Sequence, residues 1–238
     1  MPMNAALEGI SDEVPATHAH TGSWVAAVLR SRISAGQLAP GTKLSEQKLS
    51  EVLGVSRNTL REAFTVLAGE SVVLRIPNRG VFVSSPQAED VREIYRVRRL
   101  IEPAAVLWGE YRAETLDALG AIIDRARAAL RVGAVTDMAD ANQDLHKALV
   151  ALSGSASVAG LMDKVLAQMR LVFHAMETTA DFHSHYVELN AALVAQLQAG
   201  RREEAAAELR RYLDAAEREL LVHIGALSRD GSSVTDAS

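Results

Sequence analysis

From about residue 88 to 228, apolar side chains recur every three or four positions in separate stretches. They are Val91, Ile94, Tyr95, Val97 and Ile101; Leu116, Leu119, Ile122, Ile123 and Ala126; then Leu145, Leu149 and Leu152. The same spacing runs through Leu161, Val165, Met169 and Val172, through Leu189, Leu193 and Leu197, and through Ala205, Leu209, Leu213 and Leu220. Each stripe is one apolar helix face, which predicts six or more helices and no strand after Val83. Breaks fall at Gly133, in the SGSAS run 153–157, near Thr178–Phe182 and at Gly200. Interrupted stripes that each need a partner predict an antiparallel bundle.

The preceding segment has a different rhythm. Residues 45–53 form a short helix with Leu49, Val52 and Leu53 inward; Gly54 permits a tight reversal, and Ser56 is placed to cap the next helix. There Leu60, Phe64 and Leu67 share one face, which turns Arg57, Asn58, Arg61 and Thr65 outward. The β-branched runs VVLRI and VFVS flank PNRG, where Asn78 and Gly80 favour a turn, so a two-stranded wing is predicted with Arg79 at its tip. WVAAVLRSRI supplies a supporting helix, and SAGQLAPGTKL is the loop into the motif. The fold class expected is mainly α: an N-terminal winged helix-turn-helix with a small β-hairpin wing, then an antiparallel α-helical bundle. The expected divisions are a disordered arm at 1–20, the winged module at 21–85, a helical effector-binding and dimerisation domain at 86–228, and a disordered tail at 229–238.

Charge sharpens this picture. The whole chain carries −5, yet residues 21–85 hold eight Lys and Arg against four acids, a balance of +4, which leaves −9 elsewhere. A basic module fused to an acidic one suits a double-stranded DNA reader joined to a sensing or dimerising part. Arg57 and Arg61, one helical turn apart, can each pair with guanine or clamp a phosphate, while Ser56 and Thr59 suit phosphate. The chain has no cysteine, so thiolate metal sites and cysteine nucleophiles are excluded. The first twenty residues lack the basic start of a secretory signal, and no apolar run reaches the roughly 18 residues of a membrane span, so a cytoplasmic protein is expected. An enzyme, above all a metal-dependent helical one, is the rival class; yet no phosphate-cradling glycine loop, Gly-x-Ser-x-Gly elbow or His-Glu-x-x-His occurs. A second rival is an architectural DNA-binding protein without an effector.

The words ISAGQLAPGTKLSEQKLSEVLGVSRNTLREAFTVLAGESVV, NRGVFV, IYRVRRLIEPAA, NQDLHKAL and GRREEAAAELRRYL resemble the GntR transcription regulators, within them the FadR-like subgroup. The resemblance runs from about Ser23 to His223. It implies a homodimer on a palindromic operator, with a small-molecule effector in the helical domain altering DNA affinity. Carried over by position, it implies DNA contacts at Gln47, Ser56, Arg57, Thr59, Arg61 and Gly80. Gln47 departs from the arginine of many relatives. Many relatives resemble one another in a metal pocket built from an Asp-x-x-x-His pair and two later histidines. The corresponding positions here read Asn142, His146, Asn190 and Tyr212, so one imidazole stands where zinc or nickel needs several ligands, and no cofactor is expected. Asp144, His183 and His185 offer a rescue only by a shifted register.

Without an ion, Asn142, His146, Asn190 and Tyr212 would present donors and acceptors to a polar organic effector, and Arg98 would pair its carboxylate. The plainer alternatives are a core histidine at His146 and a salt bridge from Arg98 to Glu102. His18, His20, His174 and His223 suit structural or solvated roles, and Trp24 and Trp108 suit core or interface anchors.

Overall fold

The computed structural model describes residues 21–34, 37–174 and 180–232. The described residues up to Pro86, together with Arg170–His174, form one compact unit, and the remaining described residues form a second. No described helix is long and apolar enough to cross a membrane.

The first unit runs α1 (Gly22–Ser34), β1 (Lys43–Leu44), α2 (Glu46–Leu53), α3 (Arg57–Gly69), β2 (Val73–Ile76) and β3 (Gly80–Val83). Helix α1 packs on α3. Val25, Ala26, Leu29 and Ile33 of α1 are fully buried, as are Leu60, Ala63, Phe64 and Leu67 of α3. Arg30 fastens this pair to the end of α3, donating to both carboxylate oxygens of Glu70 at 2.8 and 2.7 Å. Between α2 and α3 the chain reverses at Gly54, whose φ of 64° is a left-handed conformation that glycine adopts without a Cβ penalty. Ser56 then caps α3, its Oγ accepting from the Thr59 backbone N–H at 3.1 Å.

The wing has one strand more than the two expected. Its antiparallel sheet is ordered β1-β3-β2, with Lys43 opposite Phe82 and Phe82 opposite Leu74. Only two residues of β1 pair, too few to show alternation in the sequence, but Leu44 is buried opposite Val81 and closes the sheet edge. The turn between β2 and β3 carries Asn78 at φ 61° and Gly80 at φ 112°.

The second unit is built from α4 (Ala88–Trp108), α5 (Ala113–Val132), α6 (Val135–Ala151), α7 (Ala156–His174, up to Met169), α8 (Ala180–Gln198) and α9 (Arg202–Ser232). Gly133 and Gly200 end helices in left-handed conformations. Helix α7 begins within the SGSAS run, at Ala156, and α8 takes in Phe182; residues 175–179 lie outside the described residues. Helix α9 continues to Ser232, four residues into the segment expected as a tail. An established helix extends with little added cost where no proline intervenes.

Helix α4 packs along α9, α5 on α6 and α8, and α6 on α4 and α8. Ion pairs join neighbouring helices: Arg99 with Asp214 and Glu217, Arg127 with Glu188, and Lys147 with Asp163. Ala126, Ala129, Met138, Ala141 and Val187 form an apolar cluster between α5, α6 and α8. The C-terminal half of α4 is also apolar on the side away from its partners. Leu100 is 76% and Trp108 79% exposed, with Ile101 and Ala104 partly covered between them and Val97 partly covered one turn before.

Candidate nucleic-acid interface and buried polar network

The predicted DNA-reading residues fall on three neighbouring elements. Gln47 projects from α2; Ser56, Arg57, Asn58, Thr59 and Arg61 occupy the cap and first turns of α3; Arg79 and Gly80 sit in the wing turn. Gln47, Arg57, Asn58, Arg61 and Arg79 are exposed, and Thr59 is partly covered. Their side chains are held in different ways. Arg57 makes no hydrogen bond or ion pair among the described residues. Gln47 donates to Glu51 at 3.2 Å and Asn58 to Glu62 at 2.9 Å, each four residues along its own helix. Arg61 reaches across to Glu46 on α2. The Ser56 and Thr59 hydroxyls lie 2.9 Å apart. Arg79 leans over the Phe82 ring at 6.0 Å, with Lys43 on the same ring at 5.8 Å.

Two participants were not singled out in the sequence. Arg75 on β2 donates to the Arg61 carbonyl at 2.7 Å and to Thr65 Oγ1 at 2.9 Å, tying the wing to the exposed helix. Glu46 is the other, and no local pattern announces a contact between residues on different helices.

In the helical unit, the five predicted effector residues form one network with Glu102. Asn142 and His146 come from α6, Asn190 from α8, Tyr212 from α9, and Arg98 with Glu102 from α4. Arg98 Nε donates to Glu102 Oε1 at 2.5 Å, and Glu102 Oε2 lies 2.7 Å from His146 Nδ1. Tyr212 Oη stands 3.2 Å from His146 Nε2 and 3.0 Å from Asn142 Oδ1, two acceptors for its single proton. Asn142 Oδ1 also accepts from Asn190 Nδ2 at 2.8 Å. The salt bridge from Arg98 to Glu102, the plainer alternative for this residue, is therefore present.

Burial governs the charges here. Arg98 is 1% and Glu102 0% exposed. Desolvation opposes ionisation of Glu102, but the Arg98 guanidinium and His146 outweigh it and hold the carboxyl at about 2. Burial lowers the His146 pKa against the pull of Glu102, so the imidazole is neutral, with Nδ1–H facing the carboxylate. Burial likewise raises the Tyr212 phenol and keeps it protonated. Within this network two buried atoms have no hydrogen-bond partner among the described residues: Arg98 Nη2, a donor, and Asn190 Oδ1, an acceptor.

This set does not fit a divalent transition metal. Its one imidazole has both nitrogens engaged, its phenol stays protonated, and its amides are weak ligands. Asp144 is ion-paired to Arg125 on α5 at 2.7 Å, away from the network. Among the described residues no group of three or more His, Asp or Glu is arranged to hold a metal. A separate cleft of about 500 Å³ between α5 and α6, lined by Arg125, Ala129, Val132, Asp137 and Asp140, contains none of the network residues.

An exposed helix bearing arginines, braced by a second helix and a wing, and followed by a helical bundle with a buried polar centre, defines a winged helix-turn-helix regulator. Residues 21–83 match the gntR family of bacterial regulatory proteins, and residues 93–215 match the FCD domain. The chain belongs to the GntR family with an FCD domain: it is a DNA-binding transcription regulator with an effector-binding helical domain, not an enzyme. A GntR transcriptional regulator from Rhodococcus sp. RHA1 is 37% identical, with a TM-score of 0.77 over 84% of this chain and 97% of that one. E. coli McbR/YncC, 20% identical over 84% of this chain and 96% of its own, has a TM-score of 0.69 and shows the shared fold. The gluconate operon transcriptional repressor of Bacillus licheniformis is 41% identical over 86 residues, 36% of this chain and 35% of the repressor's length.

Proposed function

We propose that two copies of the chain bind a palindromic operator, and that a small carboxylate carrying a hydroxyl or amino group is the effector that alters this binding. Arg57, Asn58 and Arg61 meet base edges or phosphates in the major groove; Gln47, Ser56 and Thr59 anchor the backbone; Arg79 and Gly80 bring the wing to a neighbouring groove. Repression is the sign favoured, because relatives such as the gluconate operon protein are named repressors. The exposed α4 face around Leu100 and Trp108 is the surface on which a second copy packs, since an apolar helix face is rarely left in water and a palindrome requires two readers.

The observation that carries the effector reading is the pair of partnerless buried atoms. A carboxylate satisfies Arg98 Nη2, and a hydroxyl or ammonium on the same small molecule satisfies Asn190 Oδ1, while Asn142, His146 and Tyr212 complete the polar wall. A coupling of about 1–3 kcal/mol between this site and DNA changes operator affinity roughly 5- to 150-fold. The test is a thermal-shift screen of hydroxy acids, sugar acids and amino acids on the full-length protein. A hit should stabilise wild type, lose its effect in Asn190→Ala, and change affinity for a selected operator. Absence of any stabilising carboxylate at millimolar concentration removes the effector reading. Unchanged DNA affinity in the Arg57→Ala/Arg61→Ala variant removes the assignment of α3.

A further inference from the structure

Arg57 and Arg61 stand one turn apart on the same exposed face, yet only Arg61 is held. Its Nε lies 3.2 and 3.3 Å from the two Glu46 carboxylate oxygens, and its Nη2 lies 3.2 Å from Glu46 Oε2. The Arg61 side chain is 63% exposed and that of Glu46 33%, so the pair sits at the surface with the carboxylate behind the guanidinium. Glu46 is itself well placed. It is the first residue of α2, just after the Ser45 cap, where the helix dipole favours an anion. The pairs Gln47–Glu51 and Asn58–Glu62 stay within one helix, whereas Glu46–Arg61 crosses from α2 to α3 and orients the guanidinium relative to the whole motif.

A guanidinium offers five N–H groups in a planar fork. Glu46 takes the lateral side, where Nε donates to both carboxylate oxygens and Nη2 lies within ion-pair distance, and leaves the terminal edge, formed by Nη1 and the outer Nη2 proton. That terminal edge makes two parallel hydrogen bonds, as guanine O6 and N7 require. The carboxylate also repels a phosphate approaching the occupied side, so it biases Arg61 from backbone to base. We propose that Glu46 is a specificity-determining positioning residue that makes Arg61 the guanine reader of each half-site. Arg57, which lacks such a brace, remains an adaptable contact. This inference rests on the DNA-contacting role proposed for α3.

In vitro selection from a randomised duplex library, with full-length wild type, Arg61→Ala, Glu46→Ala and Glu46→Gln, tests it. Wild type should enrich a palindrome with one guanine per half-site whose preference Arg61→Ala abolishes. Glu46→Ala should lose about tenfold or more of the discrimination at that position while other positions stay selected. Removing the carboxylate also frees Arg61 for phosphate, so the dependence of log affinity on log salt should steepen by about one. Glu46→Gln keeps one accepting oxygen and should recover part of the guanine preference, which a merely structural role for Glu46 would not produce. Undiminished guanine preference in Glu46→Ala overturns the proposal, as does a loss spread evenly over all positions. A wild-type protein that selects no sequence would instead overturn the DNA-reading assignment on which it stands.

Discussion

Replacing Glu102 with glutamine should destabilise the helical unit by about 3 kcal/mol at neutral pH, and the deficit should shrink in acid. The carboxylate lies 2.5 Å from Arg98 Nε and 2.7 Å from His146 Nδ1, and all three residues are buried. Desolvation alone would raise its pKa above the ordinary 4.5, but Arg98 and His146 hold it at about 2. A buried carboxyl held at about 2 instead of the ordinary 4.5 corresponds to a stabilisation on the order of 3 kcal/mol. An independent route gives a similar size, since removing one member of a buried ion pair costs about 3–5 kcal/mol by stranding the other charge. The folded pKa is depressed, so the unfolded chain takes up the proton first as pH falls. The stabilisation is therefore complete above about 4.5, declines by up to about 1.4 kcal/mol per pH unit below it, and is lost below about 2. Thermal unfolding followed by circular dichroism should show the variant melting about 6–12 °C below wild type at pH 7. At pH 3.5 the gap should narrow. A variant melting within about 2 °C of wild type at pH 7, or a gap unchanged between pH 4.5 and 2.5, would refute the reasoning.

Three further outcomes follow from local geometry. Ser56→Ala removes the acceptor of the Thr59 N–H at the start of α3 and should cost about 1 kcal/mol, seen as faster amide exchange in that turn. Gly80→Val forces a β-branched residue to φ 112°, with its Cβ 3.3 Å from Lys43 Cε; a loss of about 1–3 kcal/mol in the winged unit is expected by denaturant titration. Trp108→Ala, at a side chain 79% exposed, should leave monomer stability within about 0.5 kcal/mol but weaken self-association at least about tenfold by analytical ultracentrifugation. An unchanged dimer constant would take α4 out of the interface.

The parts of this molecule that were legible in its sequence are those set by short-range spacing. Leu60, Phe64 and Leu67 recur at helical intervals, and fixing them inside α3 forces Arg57, Asn58 and Arg61 outside. Gly54 and Gly80 were legible because left-handed turns select glycine. Arg98 and Glu102 are one turn apart on α4, so their pairing was visible as an i, i+4 spacing. Strand β1 was not legible, because two residues cannot display a period of two and its pairing depends on β3 some forty positions later.

Other contacts were hidden for a different reason. Periodicity reports which side of a helix is buried, but it does not say which polar atoms from separate helices meet there. His146 and Glu102 are 44 positions apart, and Tyr212 and Asn142 are 70. The family resemblance placed Asn142, His146, Asn190 and Tyr212 as a set, yet it carried no information on Glu102 as the ionised centre that His146 faces. Nor did it show that Tyr212 has one proton for two acceptors, or that Arg98 Nη2 and Asn190 Oδ1 lack partners. On the proposed effector reading, those mismatches make the network selective. A fully satisfied buried cluster has little to gain from a ligand, whereas one with a spare donor and a spare acceptor favours a molecule carrying their complements and penalises an analogue missing either. The Glu46–Arg61 contact follows the same logic at the surface: the brace lies on one helix and the reader on the next, so it becomes visible only once the angle between α2 and α3 is known.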